Sequence, residues 1–174
     1  MDEHAQELPP NTAGTIYIKA PAVGRFNYFK DDSKTANSYR GDYFTLGDIG
    51  YLDEDGWLFL TDRNANLIIS GGVNIYPTEV EAVLLTHPAV GDVGVIGVPN
   101  EEWGEEVKAV IELQAGVSGS AALTAELLAF CKEHLATFKY PRSIDFAEKL
   151  LRLDNGKLYK QGLREQYRAA VAKK

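Results

Sequence analysis

The chain has 174 residues, 45% hydrophobic and 25% charged, which is enough to bury one ordinary core or a core with a small appendage and excludes global disorder. Its formal charge of -7 opposes nucleic acid as a partner, because displacing counterions from a polyanion takes a basic stripe. A lone cysteine excludes an internal disulfide, and no apolar run of about 18 residues is present to form a transmembrane segment. The start, Met1 to Gln6, is polar and lacks the apolar run of a signal peptide, so the expected compartment is cytoplasmic. His4, His87 and His134 stand singly, without ligand spacing to Cys131, and no metal site is expected.

From Gly14 to Ala20 a two-residue alternation predicts a short strand closed by Pro21. Arg25 to Asp42 is polar and irregular, with a short helix starting at Asp31, Asp32 or Ser33 and reaching about Tyr39. Strands over Ile49 to Leu52 and Trp57 to Thr61 flank Asp53-Glu54-Asp55-Gly56, whose Asp-Gly step suits a tight turn. Residues 1–61 thus read as β-rich and too small for a large core of their own.

After Asp62 strands and helices alternate. A β-branched run at Asn66 to Ile69 precedes Gly71-Gly72, and Pro77 suits the first turn of a helix on which Val80, Val83 and Leu84 recur while Glu79 and Glu81 face away. His87-Pro88 ends that helix. Val90 to Pro99 and Val107 to Leu113 read as two strands around a turn at Glu101 to Gly104. Thr124 caps the next helix, with Leu127, Leu128, Cys131 and Leu135 on one face. Ser143 to Phe146 is a brief strand, and Leu158 to Ala172 a final helix with basic residues toward its end. This order predicts an α+β fold, a small sandwich over residues 62–174 with helices on one face of a three-stranded sheet.

Three places carry candidate chemistry. Asp154-Asn155-Gly156-Lys157 lies in a loop before the last helix, where a sharp bend presents a flexible cation, although a plain turn has the same composition. Asp48 and the pair Asp62-Arg63 stand at the two ends of one hairpin, suited to sugar hydroxyls and phosphate, or simply to solvent. Gly71-Gly72 admits a close ligand or backbone, or forms a mere flexible turn. Gly91, Gly94 and Gly97 lack dinucleotide spacing and read as small residues packed under neighbours. Cys131, Trp57 and Trp103 read as packing residues.

Taken in order, these pieces form a longer pattern. The run Tyr43-Phe44-Thr45-Leu46-Gly47-Asp48-Ile49-Gly50-Tyr51-Leu52-Asp53-Glu54-Asp55-Gly56, then Asp62-Arg63, then Ile68-Ile69-Ser70-Gly71-Gly72-Val73-Asn74-Ile75-Tyr76-Pro77, resembles the adenylate-forming (AMP-binding) superfamily. His87-Pro88-Ala89-Val90, Gly97-Val98-Pro99, Trp103-Gly104-Glu105 and Asn155-Gly156-Lys157 keep the same order. Within it the chain is most similar to fatty-acyl or aryl acyl-CoA synthetases, in their C-terminal portion.

The resemblance implies that residues 1–61 are the β-rich end of a large N-terminal AMP-binding domain and 62–174 a mobile C-terminal domain. It implies an acid-thiol ligase using ATP, coenzyme A and magnesium (Mg), the metal held by substrate and by the missing N-terminal domain, which is the expected partner. The expected substrate is a carboxylic acid, a fatty acid first of all. Lys157 would steady the carboxylate and α-phosphate, Asp48 would hold the ribose hydroxyls, and Arg63 would contact the nucleotide. Asp62 would be the hinge, and Gly71 and Gly72 would line the pantetheine passage. The sequence departs from the family at Asn64, where lysine is usual, and in Leu151-Arg152-Leu153-Asp154-Asn155-Gly156-Lys157, which replaces Pro-Arg-Thr-x-Thr-Gly-Lys and leaves Gly-Lys unaltered. Met1 to Gly14 reads as a start within a longer protein, and the chain alone is expected to be inactive. A non-catalytic module of the same fold and a free-standing nucleotide-binding domain are the alternatives.

Overall fold

The computed structural model describes residues 6–171, with side chains as far as Arg168. The polar start with His4 and the far end of the last helix at Ala172 therefore lie outside the described residues. The chain divides into two compact units, Met1–Ala65 and Asn66–Lys174. Asp62, where the sequence changes its grammar, still belongs to a strand of the first unit.

In the first unit, β1 (Gly14–Thr15) and β2 (Ile18–Lys19) replace the single strand expected over Gly14 to Ala20. They join different sheets, and alternation alone does not reveal such a switch of partner. Helix α1 (Asp32–Ser38) starts at Asp31, whose carboxylate accepts from the Lys34 N–H at 2.9 Å. The strands β3 (Tyr39–Arg40) and β4 (Tyr43–Phe44) pair with each other and β4 also pairs with β2, while β1 lies against β5 (Asp48–Leu52), which pairs with β6 (Leu58–Arg63). The turn between β5 and β6 is the expected one: Asp53 Oδ1 accepts from the Asp55 and Trp57 amides, and Gly56 takes φ +83. Trp57, expected to pack, is instead 71% exposed within its unit.

The second unit opens with a hairpin, β7 (Ile68–Ser70) and β8 (Val73–Ile75), turned by Gly71 and Gly72. Helix α2 (Pro77–Leu84) follows, with Pro77 at its start. The long strands β9 (Val90–Asn100) and β10 (Gly104–Leu113) are antiparallel, and β11 (Ser143–Ala147) runs parallel to β10. These three are the sheet read from the sequence, and the hairpin extends it to five strands through Gly104 and Ser70. Helix α3 (Ala121–His134) is capped by Ser120, four residues before the expected Thr124, and α4 (Lys160–Val171) ends the described chain.

The helices do not share one face of this sheet. Val80 and Leu84 of α2 and Leu127 and Cys131 of α3 pack with Val93, Val95, Ala109 and Ile111, whereas Leu163 of α4 packs with Ile96, Val98 and Val110 on the other side. A strand covered on both faces reads as a continuous apolar run, and that is the pattern of β9. Gly94 is small for the reason anticipated: a Cβ there would stand 3.0 Å from the side chains of Leu158 and Leu163. Among the described residues no helix is long and apolar enough to cross a membrane.

Candidate functional site

Asp48 and Arg63 are cross-strand partners in the β5–β6 register, so the two hairpin ends singled out in the sequence do come together. Arg63 Nε lies 3.2 Å from Asp48 Oδ1, with the arginine side chain two-thirds exposed and the carboxylate one-third exposed. A guanidinium held through Nε keeps its outer nitrogens open to a second anion. Asp62 stands opposite Ile49, and its Oδ1 accepts from the Arg63 N–H at 2.7 Å. A bulge beside Gly50 sets this register, and a Cβ at Gly50 would fall 2.2 Å from the Phe59 carbonyl oxygen.

Gly71, Gly72 and Lys157 belong to the second unit. Gly71 has φ +56 and its N–H donates to the Trp103 carbonyl at 2.9 Å, while the Trp103 ring lies flush against its Cα, 2.6 Å from where a Cβ would sit. Gly72 has φ +78 but open space around it, so only its backbone conformation demands glycine. Asn100 Oδ1 accepts from the Glu102 and Trp103 amides, which fixes Trp103 half-exposed at the rim of a cavity of about 240 Å³. Phe138, Tyr140 and Arg142 line the same cavity. Trp103 was expected to be a packing residue; its partner is a glycine at a cavity mouth, and composition cannot signal that.

Lys157 sits in a tight hairpin of its own. Arg152 bridges Leu158, the Leu153 N–H donates to the Lys157 carbonyl at 2.8 Å, and the Gly156 N–H donates to the Leu153 carbonyl at 2.8 Å. Gly156 turns the chain with φ +80, and Asn155 Oδ1 accepts from the Lys157 N–H at 3.1 Å. The Lys157 side chain is exposed and, among the described residues, enters no ion pair or hydrogen bond. The loop therefore presents an uncommitted ammonium on an ordered turn, which suits transient stabilisation of an anion.

Sequence reasoning missed four side chains around that turn, Glu81 with Lys160 and Arg152 with Asp92. Glu81, expected to face away from α2, is nearly buried: its Oε1 accepts from the Val95 N–H at 2.8 Å and lies 2.8 Å from Lys160 Nζ. A carboxylate at helical spacing reads as solvated face unless its distant lysine is known. Arg152 stands where the family pattern has its arginine, so more than Gly-Lys is retained in that loop. It donates from Nη1 to the Gly156 carbonyl at 2.6 Å and pairs through Nη2 with Asp92. Burial pushes the Cys131 thiol up to about 11, in keeping with a core residue rather than a nucleophile. Among the described residues no group of three His, Cys, Asp or Glu side chains is placed to hold a metal ion.

The AMP-binding enzyme C-terminal domain model matches residues 79–157. The 2-succinylbenzoate–CoA ligase of Geobacillus kaustophilus is 48% identical over 155 residues, covering 89% of this chain and 31% of that protein. The structure of o-succinylbenzoate CoA synthetase from Bacillus subtilis, solved with its acyl-adenylate, superposes with a TM-score of 0.76 at 41% identity, over 90% of this chain and 31% of that one. ATP-bound MatB from Rhodopseudomonas palustris gives a TM-score of 0.86 at 35% identity, over 97% of this chain and 33% of that one. The chain thus spans about a third of the length of the relatives it matches. With its ordered motifs, its fold and these likenesses in agreement, the chain belongs to the adenylate-forming superfamily and contains its C-terminal domain.

Proposed function

We propose that the chain is the C-terminal part of an ATP-dependent acid-thiol ligase, inactive by itself, whose Lys157 stabilises acyl-adenylate formation. In the first step a carboxylate oxygen of the acid attacks the α-phosphorus of ATP, the bond to the bridging oxygen breaks, and pyrophosphate leaves with that electron pair. In the second the sulfur of coenzyme A attacks the acyl carbon, the carbon–oxygen bond breaks, AMP departs and the thiol proton passes to solvent. The single observation that carries this reading is the exposed, uncommitted Lys157 ammonium on an ordered turn, inside the segment matched to the family. Charge that builds up around the α-phosphate gains most from a cation held ready for it.

Asp48 accepts the ribose hydroxyls once it parts from Arg63, whose guanidinium then turns to phosphate. Asp62, on the last strand of the first unit, serves as the hinge. Gly71 and Gly72 line the pantetheine passage, and the cavity walled by Trp103, Phe138, Tyr140 and Arg142 offers flat rings and a guanidinium to the nucleotide end of coenzyme A. Magnesium would accompany ATP. The described residues offer no cluster to hold it.

For the acid, the first compound to test is 2-succinylbenzoate, on the strength of 48% identity to a ligase of that name, ahead of the fatty acid read from the sequence. Specificity resides in a pocket that the matched segment does not form. The test is acid-dependent release of pyrophosphate by the complete protein, offered 2-succinylbenzoate, benzoate or a fatty acid, followed by thioester formation with coenzyme A. Turnover with 2-succinylbenzoate at least about tenfold above the others supports the assignment. Release with none of the acids, or acyl-CoA made by the 174-residue chain alone, contradicts it.

A further inference from the structure

The Lys157 turn is fastened to one strand at three successive points. Arg152 reaches Asp92, Leu158 rests on Gly94, and Glu81, which holds Lys160, takes the N–H of Val95. Asp92, Gly94 and Val95 all belong to β9. The last two anchors are packed or nearly buried, with Lys160 and Glu81 side chains 11% and 13% exposed. The first is different, because its target includes the turn itself. Arg152 Nη1 donates to the carbonyl of Gly156, and that carbonyl belongs to the peptide plane that continues into the Lys157 nitrogen. A planar peptide bonded at its oxygen has lost its freedom to flip, and the side chain that departs from the next Cα is aimed accordingly.

We propose that Arg152 is a positioning residue for Lys157, with its guanidinium tying the Gly156–Lys157 peptide plane to Asp92 on β9. This inference rests on the reading of Lys157 given above and adds to it the device that aims the cation. The task requires two nitrogens of one rigid fork, one for a carbonyl and one for a carboxylate, and a lysine can serve either acceptor but cannot bridge both in the same geometry. A cation displaced by about an ångström loses most of its effect on a transition state while leaving ground-state binding nearly intact, so the consequence falls on kcat and not on KM.

The experiment compares Arg152→Ala, Arg152→Lys and Asp92→Asn with Lys157→Ala in the complete ligase, following adenylate formation and, separately, thioester formation from supplied acyl-adenylate. Arg152→Ala is expected to lower kcat for adenylate formation by about 10- to 100-fold, with KM for ATP and the thioester step within about twofold. Asp92→Asn should fall in the same direction, and Arg152→Lys should lie between Arg152→Ala and the parent. In the 174-residue chain, amide exchange at Leu153 and Gly156 should rise by about tenfold or more in Arg152→Ala while Val95 keeps its protection. If Lys157→Ala abolishes adenylate formation but Arg152→Ala leaves its kcat within about twofold of the parent, or if Arg152→Ala slows both steps equally, the positioning role is wrong. If Lys157→Ala leaves adenylate formation intact, the reading of Lys157 fails instead, whatever the exchange data show about the turn.

Discussion

The two units of the chain solve the same problem to different degrees. The second covers its sheet on both faces, so that Val95 and Ile111 on one side and Ile96 on the other are fully enclosed. In the first, Ile49 is the only buried hydrophobic residue among those described, and β6 shows Leu58, Phe59 and Leu60 in a continuous exposed row beside Trp57. Both carry residues assigned to chemistry, but they hold them differently. Lys157 stands on a turn bolted to a closed core, whereas Asp48 and Arg63 mainly hold each other. A closed core makes a stable platform, and an open apolar strand makes a surface suited to being covered.

The largest effect that would sharpen this contrast is a cavity in the second unit. Leu127→Ala should cost about 2–5 kcal/mol in denaturant unfolding, since the side chain is wholly enclosed. Leu60→Ser, on the open row of the first unit, should change stability by no more than about 0.5 kcal/mol. Equal losses would break the comparison. Next comes Gly71→Ala, which combines a positive φ with a ring 2.6 Å from the new Cβ and should cost roughly 1–2 kcal/mol, visible as a lower Tm and altered Trp103 fluorescence.

The units should also part company with pH. Cys131 and Tyr167, both in the second unit, have their ionisation raised by burial, Tyr167 further by its bond to Asp145. A group that stays protonated in the folded state after the unfolded chain has released its proton loses stability as pH rises, here from the ordinary 9.0 of the thiol toward about 11. Asp31 in the first unit goes the other way, lowered by its bonds to the Lys34 amide and the Ser33 hydroxyl, so its support for α1 is present above the ordinary 3.8 and lost as pH falls below it. Amide exchange across pH should therefore find α1 opening in acid and the second unit weakening in alkali, with Cys131→Ala flattening the alkaline slope. The reverse order would contradict these environments. A small effect is also expected at the Asp48–Arg63 pair, where Asp48→Ala should alter stability by about 1 kcal/mol at most, because the pair is largely solvated.

Local grammar was legible wherever one residue had one physical reason. Pro77 opened α2, Gly56 turned the β5–β6 hairpin, and the valines from Val90 announced a strand, though not that both its faces are covered. What stayed hidden depended on partners far away in sequence. Val73–Ile75 is too short to declare itself a strand without β7 beside it, and α4 lies on the far face because of Ile96 and Val98 rather than its own pattern. Ser120 lost its role as a cap to Thr124 because Ala121 and Ala122 carry no periodic signal. In the candidate site, Lys157 and the Asp48–Arg63 ends could be read directly. The supports of Lys157 could not, since Arg152 needs Asp92 and Lys160 needs Glu81, 60 and 79 residues away.

In the proposed reaction the Lys157 ammonium does its work in one half-reaction only. With the complete ligase bearing Lys157→Ala, acid-dependent pyrophosphate release should fall by about 100-fold or more, while coenzyme A thioester still forms from supplied acyl-adenylate at close to the parent rate. Undiminished pyrophosphate release, or equal loss of both reactions, would contradict it.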